Sequence, residues 1–353
     1  MFGIQRRKGQ IWFAIISSLF LLASCRTVST PQEQLGGEII GNTQGTTYNI
    51  IIANEKINFT KAEIDSILHD FDLALSTYHD NSAITLLNNT KVSASAHDPF
   101  GYLSSCYKQS KEVYQLTGGA FDPSVFPLVK GWGFMENVDE PMSDEDIIEV
   151  MDYVGFDNYH AISFRDDSVL LSKEKPEFKL DFNAIAQGYS VDVIDEFLKS
   201  RGQENYYVEI GGEIIVRGKN RDGDRWRIGI DAPKDDNTTH ELENIIHVSD
   251  VCIATSGNYR KFYEKDGVKY AHTLDPKTGY PVTHSLLSVT VIAESCAEAD
   301  AYATAFMVMG AEITLAFVDA HPELKLKVYL LESGTEDEII SSSNDAFSQY
   351  LVE

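Results

Sequence analysis

The chain has 353 residues, 43% of them hydrophobic and 24% charged, and a formal net charge of −25. That composition is globular, long enough for one large or two ordinary domains, and excludes disordered and collagen-like chains. Such an acidic balance argues against nucleic acid as a partner, because phosphate contacts need clustered Lys and Arg; a phosphate-bearing substrate would need a recruited cation to hold it.

At the N-terminus, Arg6, Arg7 and Lys8 precede an apolar run from Ile11 to Leu22. The run is short for a transmembrane helix and ends in small residues, as a secretory signal does. Leu22-Ala23-Ser24-Cys25 resembles a bacterial lipobox, in which Cys25 is lipidated and becomes the first mature residue. A plain secretory signal and an uncleaved anchor are the alternatives. Residues 1–24 are then a signal peptide, 25–37 a polar tether and 38–353 the folded domain. The signal holds three basic and no acidic residues, so the mature chain has 26 basic against 54 acidic residues, net −28. The expected location is the bacterial cell envelope, lipid-anchored and facing the periplasm. Cys106, Cys252 and Cys296 remain, an odd count without CxxC spacing. They read as buried thiols, with one pair able to bridge, and not as a disulfide framework or a zinc site.

Thr43 to Ala53 alternates as a strand with Tyr48, Ile50 and Ile52 on one face. Thr60-Lys61-Ala62-Glu63 is a capping box opening a helix whose apolar stripe is Ile64, Ile67, Leu68 and Phe71. A second helix is predicted from about Pro99 to Leu116, stopped by Gly118-Gly119. Ser143 caps a short acidic helix to Tyr153; the acid cluster from Glu136 to Asp152 lacks EF-hand spacing. Lys179 to Phe182 reads as a strand leading into a helix from about Ala184 to Arg201, ended by Gly202. Strand-like runs follow at Tyr206–Val216, Arg225–Ile230, Val251–Ala254 and Leu286–Ala293. A helix spans about Ala297 to Met309, and Leu326–Leu331 is a late strand. Consecutive strands imply antiparallel pairing, so the fold class is α+β, mainly antiparallel sheets with packed helices.

Four segments carry chemistry. Asp300 and Thr304 are four apart on a helix of alanines, and so share a face. A carboxylate and a hydroxyl there suit Mg²⁺ beside a phosphate; the alternative is tight Ala packing with Thr304 bonded to its own turn. Asp181 to Gly188 lies where a helix begins, a place that favours phosphate, with Asn183 as a candidate N-cap. His272-Thr273-Leu274-Asp275-Pro276-Lys277-Thr278-Gly279 is a polar turn in which His272 and Asp275 form a candidate acid–base pair. An Asx cap explains Asp275 equally well but leaves His272 unexplained. Tyr78 follows a helix, where it stacks on a planar ring or plugs the core. Ser256 lacks the GxSxG frame of a nucleophile elbow, and neither GxGxxG nor GxxxxGK[ST] occurs.

In order along the chain, these segments resemble the FAD:protein FMN transferases, the ApbE family of periplasmic lipoproteins. The similarity runs from about Gly41 to Gly310. It is carried by Gln44-Gly45-Thr46-Thr47-Tyr48, Ser76-Thr77-Tyr78, Gly119-Ala120-Phe121-Asp122-Pro123, Leu180-Asp181-Phe182, Gly188-Tyr189, Gly211-Gly212-Glu213, Ala254-Thr255-Ser256-Gly257, the His272–Gly279 turn and Ala299-Asp300-Ala301. The resemblance implies a two-lobed fold. It implies Mg²⁺-dependent transfer of FMN from FAD to a threonine of an extracytoplasmic flavoprotein acceptor, releasing AMP. By the same resemblance Asp300, Thr304 and the carbonyl of Ala184 hold the metal. Gln44, Tyr78, Ala120, Phe121, Asp122, Asp181, Gln187, Thr273 and Ala303 contact the flavin nucleotide. His272 and Asp275 present the reaction centre, one of them assisting deprotonation of the acceptor threonine. Gln44, Gln187 and Lys277 stand where the family commonly has Met, Lys and Arg. Two other functions compete: metal-dependent FAD hydrolysis to FMN and AMP, and flavin binding without catalysis. Asp300, Thr304, His272 and Asp275 argue against the second.

Overall fold

The structure is a computed structural model that describes residues 35–134, 142–158, 160–234, 241–258, 262–265, 268–335 and 338–351. Cys25, the signal peptide, most of the tether and the acidic residues 136–141 lie outside the described residues.

Strands β1 (Gly37–Thr43) and β2 (Thr46–Ile52) form a hairpin turned by Gln44 at φ 51° and Gly45 at φ 72°. A two-residue hairpin loop needs positive φ at both positions, which Gly supplies freely and Gln at some cost. Tyr48, Ile50 and Ile52 are buried on one face, as the alternation predicts. Helix α1 (Lys61–Leu75) opens on the predicted capping box. The Glu63 N–H donates to the Thr60 hydroxyl, and the Thr60 N–H donates to the Glu63 carboxylate. Next come α2 (Ala83–Asn89), β3 (Ser93–His97), α3 (Tyr102–Leu116), a 3₁₀ turn at Pro123–Val125, α4 (Phe126–Gly131) and α5 (Asp144–Met151), the last capped by Ser143. Strands β4 (His160–Arg165) and β5 (Ser168–Lys173) pair with β3 in a small antiparallel sheet.

The second half carries α6 (Asn183–Ser200), β6 (Tyr206–Ile210), β7 (Glu213–Arg217), β8 (Trp226–Asp231), β9 (Leu242–Val248) and β10 (Val251–Gly257). It continues with β11 (Phe262–Lys265), β12 (Val268–Ala271), β13 (Leu286–Ala293), α7 (Cys296–Met309), α8 (Ala311–Ala320), β14 (Lys327–Ser333), β15 (Ile339–Ser343) and α9 (Asp345–Ser348). Eight strands form one antiparallel sheet in the order β1-β2-β6-β7-β10-β13-β14-β15. Helices α6 and α7 cover one face, where Val191, Ile194 and Phe306 join Ile215, Val291 and Leu330 in the core. The hairpin β8–β9 covers the other face, with Ile228 and Ile246 packed on Val216, Ile253 and Ile292. The α+β, mainly antiparallel expectation therefore holds. Among the described residues no helix is long and apolar enough to cross a membrane.

Three local expectations change. Lys179–Phe182 forms no strand. The Asn88 side chain takes the place of a neighbouring strand, donating to the Leu180 carbonyl at 2.7 Å and accepting the Leu180 N–H at 2.8 Å. Asn183 is the first helical residue and caps nothing; Phe182 holds the N-cap position without a side-chain bond. The predicted run Tyr206–Val216 is a hairpin, broken by Gly211 at φ 62° and Gly212 at φ 116°.

Candidate active site

Helices α6 and α7 cross at Gly188. A Cβ there would lie 2.2 Å from the Cys296 carbonyl oxygen and 2.8 Å from the Asp300 Cβ, so only glycine fits. The close approach lets the Gly188 N–H donate to Asp300 Oδ2 at 3.0 Å. In a helix that N–H also points at the carbonyl four residues back, Ala184. The Ala184 carbonyl and the Asp300 carboxylate thus flank one N–H. One turn further along α7, the Thr304 hydroxyl lies 3.5 Å from that of Ser256 on β10. Asp300 is buried, and this amide is its one hydrogen bond among the described residues, with no cationic side chain paired to it. Burial pushes its carboxyl up to about 7, against the opposing pull of the Gly188 N–H. A carboxylate, a hydroxyl and a backbone carbonyl form an all-oxygen donor set, which fits a hard dication such as Mg²⁺.

The start of α6 forms the rim. Asp181 Oδ1 accepts the Asn183 N–H at 2.8 Å, and the Asp181 N–H donates to the Pro123 carbonyl at 2.7 Å. Burial raises the Asp181 carboxyl to about 6. The Asn183 amide reaches the Thr77 hydroxyl at 3.5 Å. The neighbouring Tyr78 is 70% exposed, a ring face available for stacking, and desolvation of its hydroxyl, followed by the Asp181 charge, raises its pKa. Gln187 lies over the β6–β7 turn: its Nε2 occupies the space where a Gly211 Cβ would stand. The Gly211 N–H donates to the Thr47 carbonyl at 3.1 Å, which brings the β1–β2 turn to the same place. There Gln44 has a buried Nε2 with no hydrogen-bond partner among the described residues. An open cavity of about 420 Å³ borders Asn42 to Thr47. Asp72 on α1 has its carboxyl raised by burial, opposed by the nearby Gln44 backbone N–H.

The polar turn joins from the far side of β10. The Thr273 hydroxyl donates to Asn258 Oδ1 at 2.6 Å, two residues beyond Ser256. Asp275 spends one oxygen on the Lys277 N–H at 2.9 Å and the other on the Thr278 hydroxyl at 3.1 Å, the Asx-turn arrangement. The His272 ring meets Phe134 edge-on at 6.5 Å. Asp122 is buried, with oxygens accepting the Ser124 N–H, the Ser124 hydroxyl and the Phe156 N–H. Ala120, Phe121 and Ala303 have buried side chains.

Three side-chain contacts, Thr273 with Asn258, Ser256 with Thr304 and Gly188 with Asp300, tie the polar turn, β10, α7 and α6 together, whereas Asp275 bonds within its own turn and His272 meets Phe134, outside that set. Gln44 and Tyr78 stand on the rim, and Asp122 is tied in through Pro123. Asp72, Asn88, Ser256 and Asn258 were not singled out as site residues. The readable hint was Gly188, a glycine inside a helical pattern, which marks close packing.

Crossed helices on an antiparallel sheet thus place an oxygen-donor cluster beside a turn-lined rim. The chain belongs to the ApbE family, whose model matches residues 44–329. It is 38% identical over 342 residues to the FAD:protein FMN transferase of Vibrio cholerae, covering 94% of this chain and 97% of that protein. It is 32% identical to the FAD:protein FMN transferase of Haemophilus influenzae, covering 95% and 97%. The solved flavin transferase ApbE from Vibrio cholerae superposes with a TM-score of 0.77 at 35% identity, covering 90% of this chain and 99% of that one. An ApbE protein of Thermotoga maritima gives 0.74 at 29% identity, covering 90% and 100%.

Proposed function

We propose that this enzyme transfers FMN from FAD to a threonine hydroxyl of an extracytoplasmic flavoprotein, releasing AMP, with Mg²⁺ held by Asp300, Thr304 and the Ala184 carbonyl. The observation that carries the reading is the crossing at Gly188, where a buried carboxylate without a cationic side chain meets the start of α6. Mg²⁺ bound there supplies positive charge to the diphosphate, which a chain of net charge −25 otherwise lacks.

The chain's own groups do the rest. The start of α6, where the helix dipole favours negative charge, faces the phosphates. Tyr78 stacks on a ring of the dinucleotide, and the buried Gln44 amide finds its acceptor on the ligand. The β6–β7 turn holds the Gln44 hairpin in place through Gly211 and Thr47. The acceptor threonine oxygen attacks the phosphorus of the FMN half, and the bond to the AMP phosphate breaks. His272 takes the threonine proton. Asp275 shapes the turn that presents His272. Secretion, lipidation at Cys25 and membrane anchoring at the periplasmic face complete the proposal; the basic, apolar and small-residue succession before Cys25 supports them.

The test incubates the chain with FAD, Mg²⁺ and a flavoprotein acceptor domain, followed by mass spectrometry of the acceptor. Covalent FMN on a threonine, with one AMP per transfer, is expected. FMN and AMP without labelled acceptor would make the enzyme a hydrolase, and intact bound FAD would make it a carrier.

A further inference from the structure

Outside the site, the described residues hold one cluster of possible metal-binding groups: Asp192, Cys252 and Cys296, whose ligand atoms lie within 4.8 Å of one another. Both sulfurs are buried on the helix-covered side of the sheet, Cys252 from β10 and Cys296 from the first residue of α7.

The surroundings discriminate against a metal. Each carboxylate oxygen of Asp192 already accepts a backbone N–H, from Cys296 at 2.7 Å and from Ala297 at 2.9 Å. The Cys296 thiol donates to the Ile214 carbonyl at 3.1 Å, and the Cys252 thiol to the Glu294 carbonyl at 3.3 Å. The Arg217 guanidinium lies 3.9 Å from the Cys252 sulfur. Arg217 is itself paired with Asp195 and offers no ligand, so a metal would find only three protein ligands, whereas structural zinc takes four.

We propose that Cys252 and Cys296 close into a disulfide that staples β10 to the start of α7. The bond forms by exchange with a disulfide-bonded thiol compound. Cys252 is the attacking sulfur, because burial pushes the Cys296 thiol well above its ordinary value. The Cys252 thiolate displaces one thiolate from the compound and forms a mixed disulfide. Cys296 then loses its proton to the released thiolate and attacks the Cys252 sulfur, expelling the second thiol. The two cysteines lose two electrons and two protons, and the compound is reduced to two thiols. Because both sulfurs are fully buried, exchange takes place while the chain folds or when the start of α7 opens.

The staple sits under the site. Cys296 contributes the carbonyl that presses on the Gly188 position, one turn before Asp300, and β10 carries Ser256 four residues beyond Cys252. Closing the loop between the two cysteines also constrains the unfolded chain, and that loop contains the His272 turn. The inference does not depend on the flavin-transfer reading.

The full chain, purified in detergent without reductant, is equilibrated with oxidised glutathione, alkylated in denaturant and digested without reduction. A peptide pair joined through Cys252 and Cys296 is expected, with Cys106 alkylated. Reductant should split the pair and lower the melting temperature by several degrees, and Cys252→Ser or Cys296→Ser should abolish that sensitivity. Recovery of both cysteines as alkylated thiols, after equilibration in urea that opens the fold, overturns the proposal. So does a zinc ion in the native mass spectrum.

Discussion

At the scale of single residues, Asp300 and Gly188 act as one unit. The carboxylate is buried because the helices touch, and the helices touch because residue 188 has no side chain. Replacing Asp300 with Asn keeps the shape, since an amide oxygen still accepts the Gly188 N–H, but removes the charge. Transfer is expected to fall at least about 100-fold, and the rise in melting temperature on adding Mg²⁺ is expected to vanish. Thermal melts with and without Mg²⁺, alongside the transfer assay, check both; an unchanged Mg²⁺ response removes Asp300 from the metal set. Gly188→Ala tests the other half. Its Cβ meets backbone at 2.2 Å, which cannot rotate away, so the helices must separate. A loss of about 1–3 kcal/mol in urea unfolding is expected, together with weaker Mg²⁺ binding by titration calorimetry. Stability equal to the parent would show that the crossing has slack. Neither role is contained in the spacing of Asp300 and Thr304, which a plain Ala-rich helix also satisfies.

At the scale of elements, the legible parts were those whose signals are local. The Thr60 capping box, the Tyr48-Ile50-Ile52 alternation and the Leu286–Ala293 strand all came from periodicity and caps, and all stand. The Lys179–Phe182 segment failed for a physical reason: an apolar extended stretch needs a backbone partner, and here the partner is one side chain from a helix far away in sequence. Asn88 supplies both a donor and an acceptor to Leu180, which a pattern of hydrophobicity cannot reveal. The small strands β3 and β4 consist mostly of exposed or half-buried residues, so their alternation is weak. The site was legible as motifs in order, but its contacts came from long-range pairings such as Gly211 with Thr47. Asn88→Ala should leave the Leu180 N–H and carbonyl unpaired in the core, costing about 1–3 kcal/mol. Because Leu180 delivers Asp181 to the rim, FAD affinity should also fall, by about tenfold. Flavin fluorescence quenching measures this; intact affinity with reduced stability would confine Asn88 to folding.

At the scale of the whole molecule, two consequences of charge are measurable. The first concerns Asp192, which ties α6 to the start of α7. Burial pushes its carboxyl up to about 7, aided by the Asp195 charge and opposed by the two amides and Arg217. The folded chain therefore keeps a proton that the unfolded chain releases near pH 4, so stability falls as pH rises between roughly 4 and 7. Melting temperature followed from pH 5 to pH 8 should decline, and the decline should be shallower in Asp192→Asn. Parallel curves would show that other carboxyls govern the slope. The second concerns approach of the substrate. FAD is an anion, and the chain carries −25 overall. In the proposed reading a dication at Asp300 would hold the diphosphate at contact distance, whereas the long-range field of an acidic chain repels it. Salt screens the long-range part over about 10 Å at 0.1 M and leaves buried contacts nearly untouched. The association rate for FAD should thus rise with ionic strength, while the dissociation rate stays nearly constant. Stopped-flow quenching of flavin fluorescence between low salt and 0.15 M NaCl, at fixed free Mg²⁺, separates the two rates. An association rate that falls with salt would mean that the site presents a net positive face, and that the acidic surface lies too far from the entrance to matter.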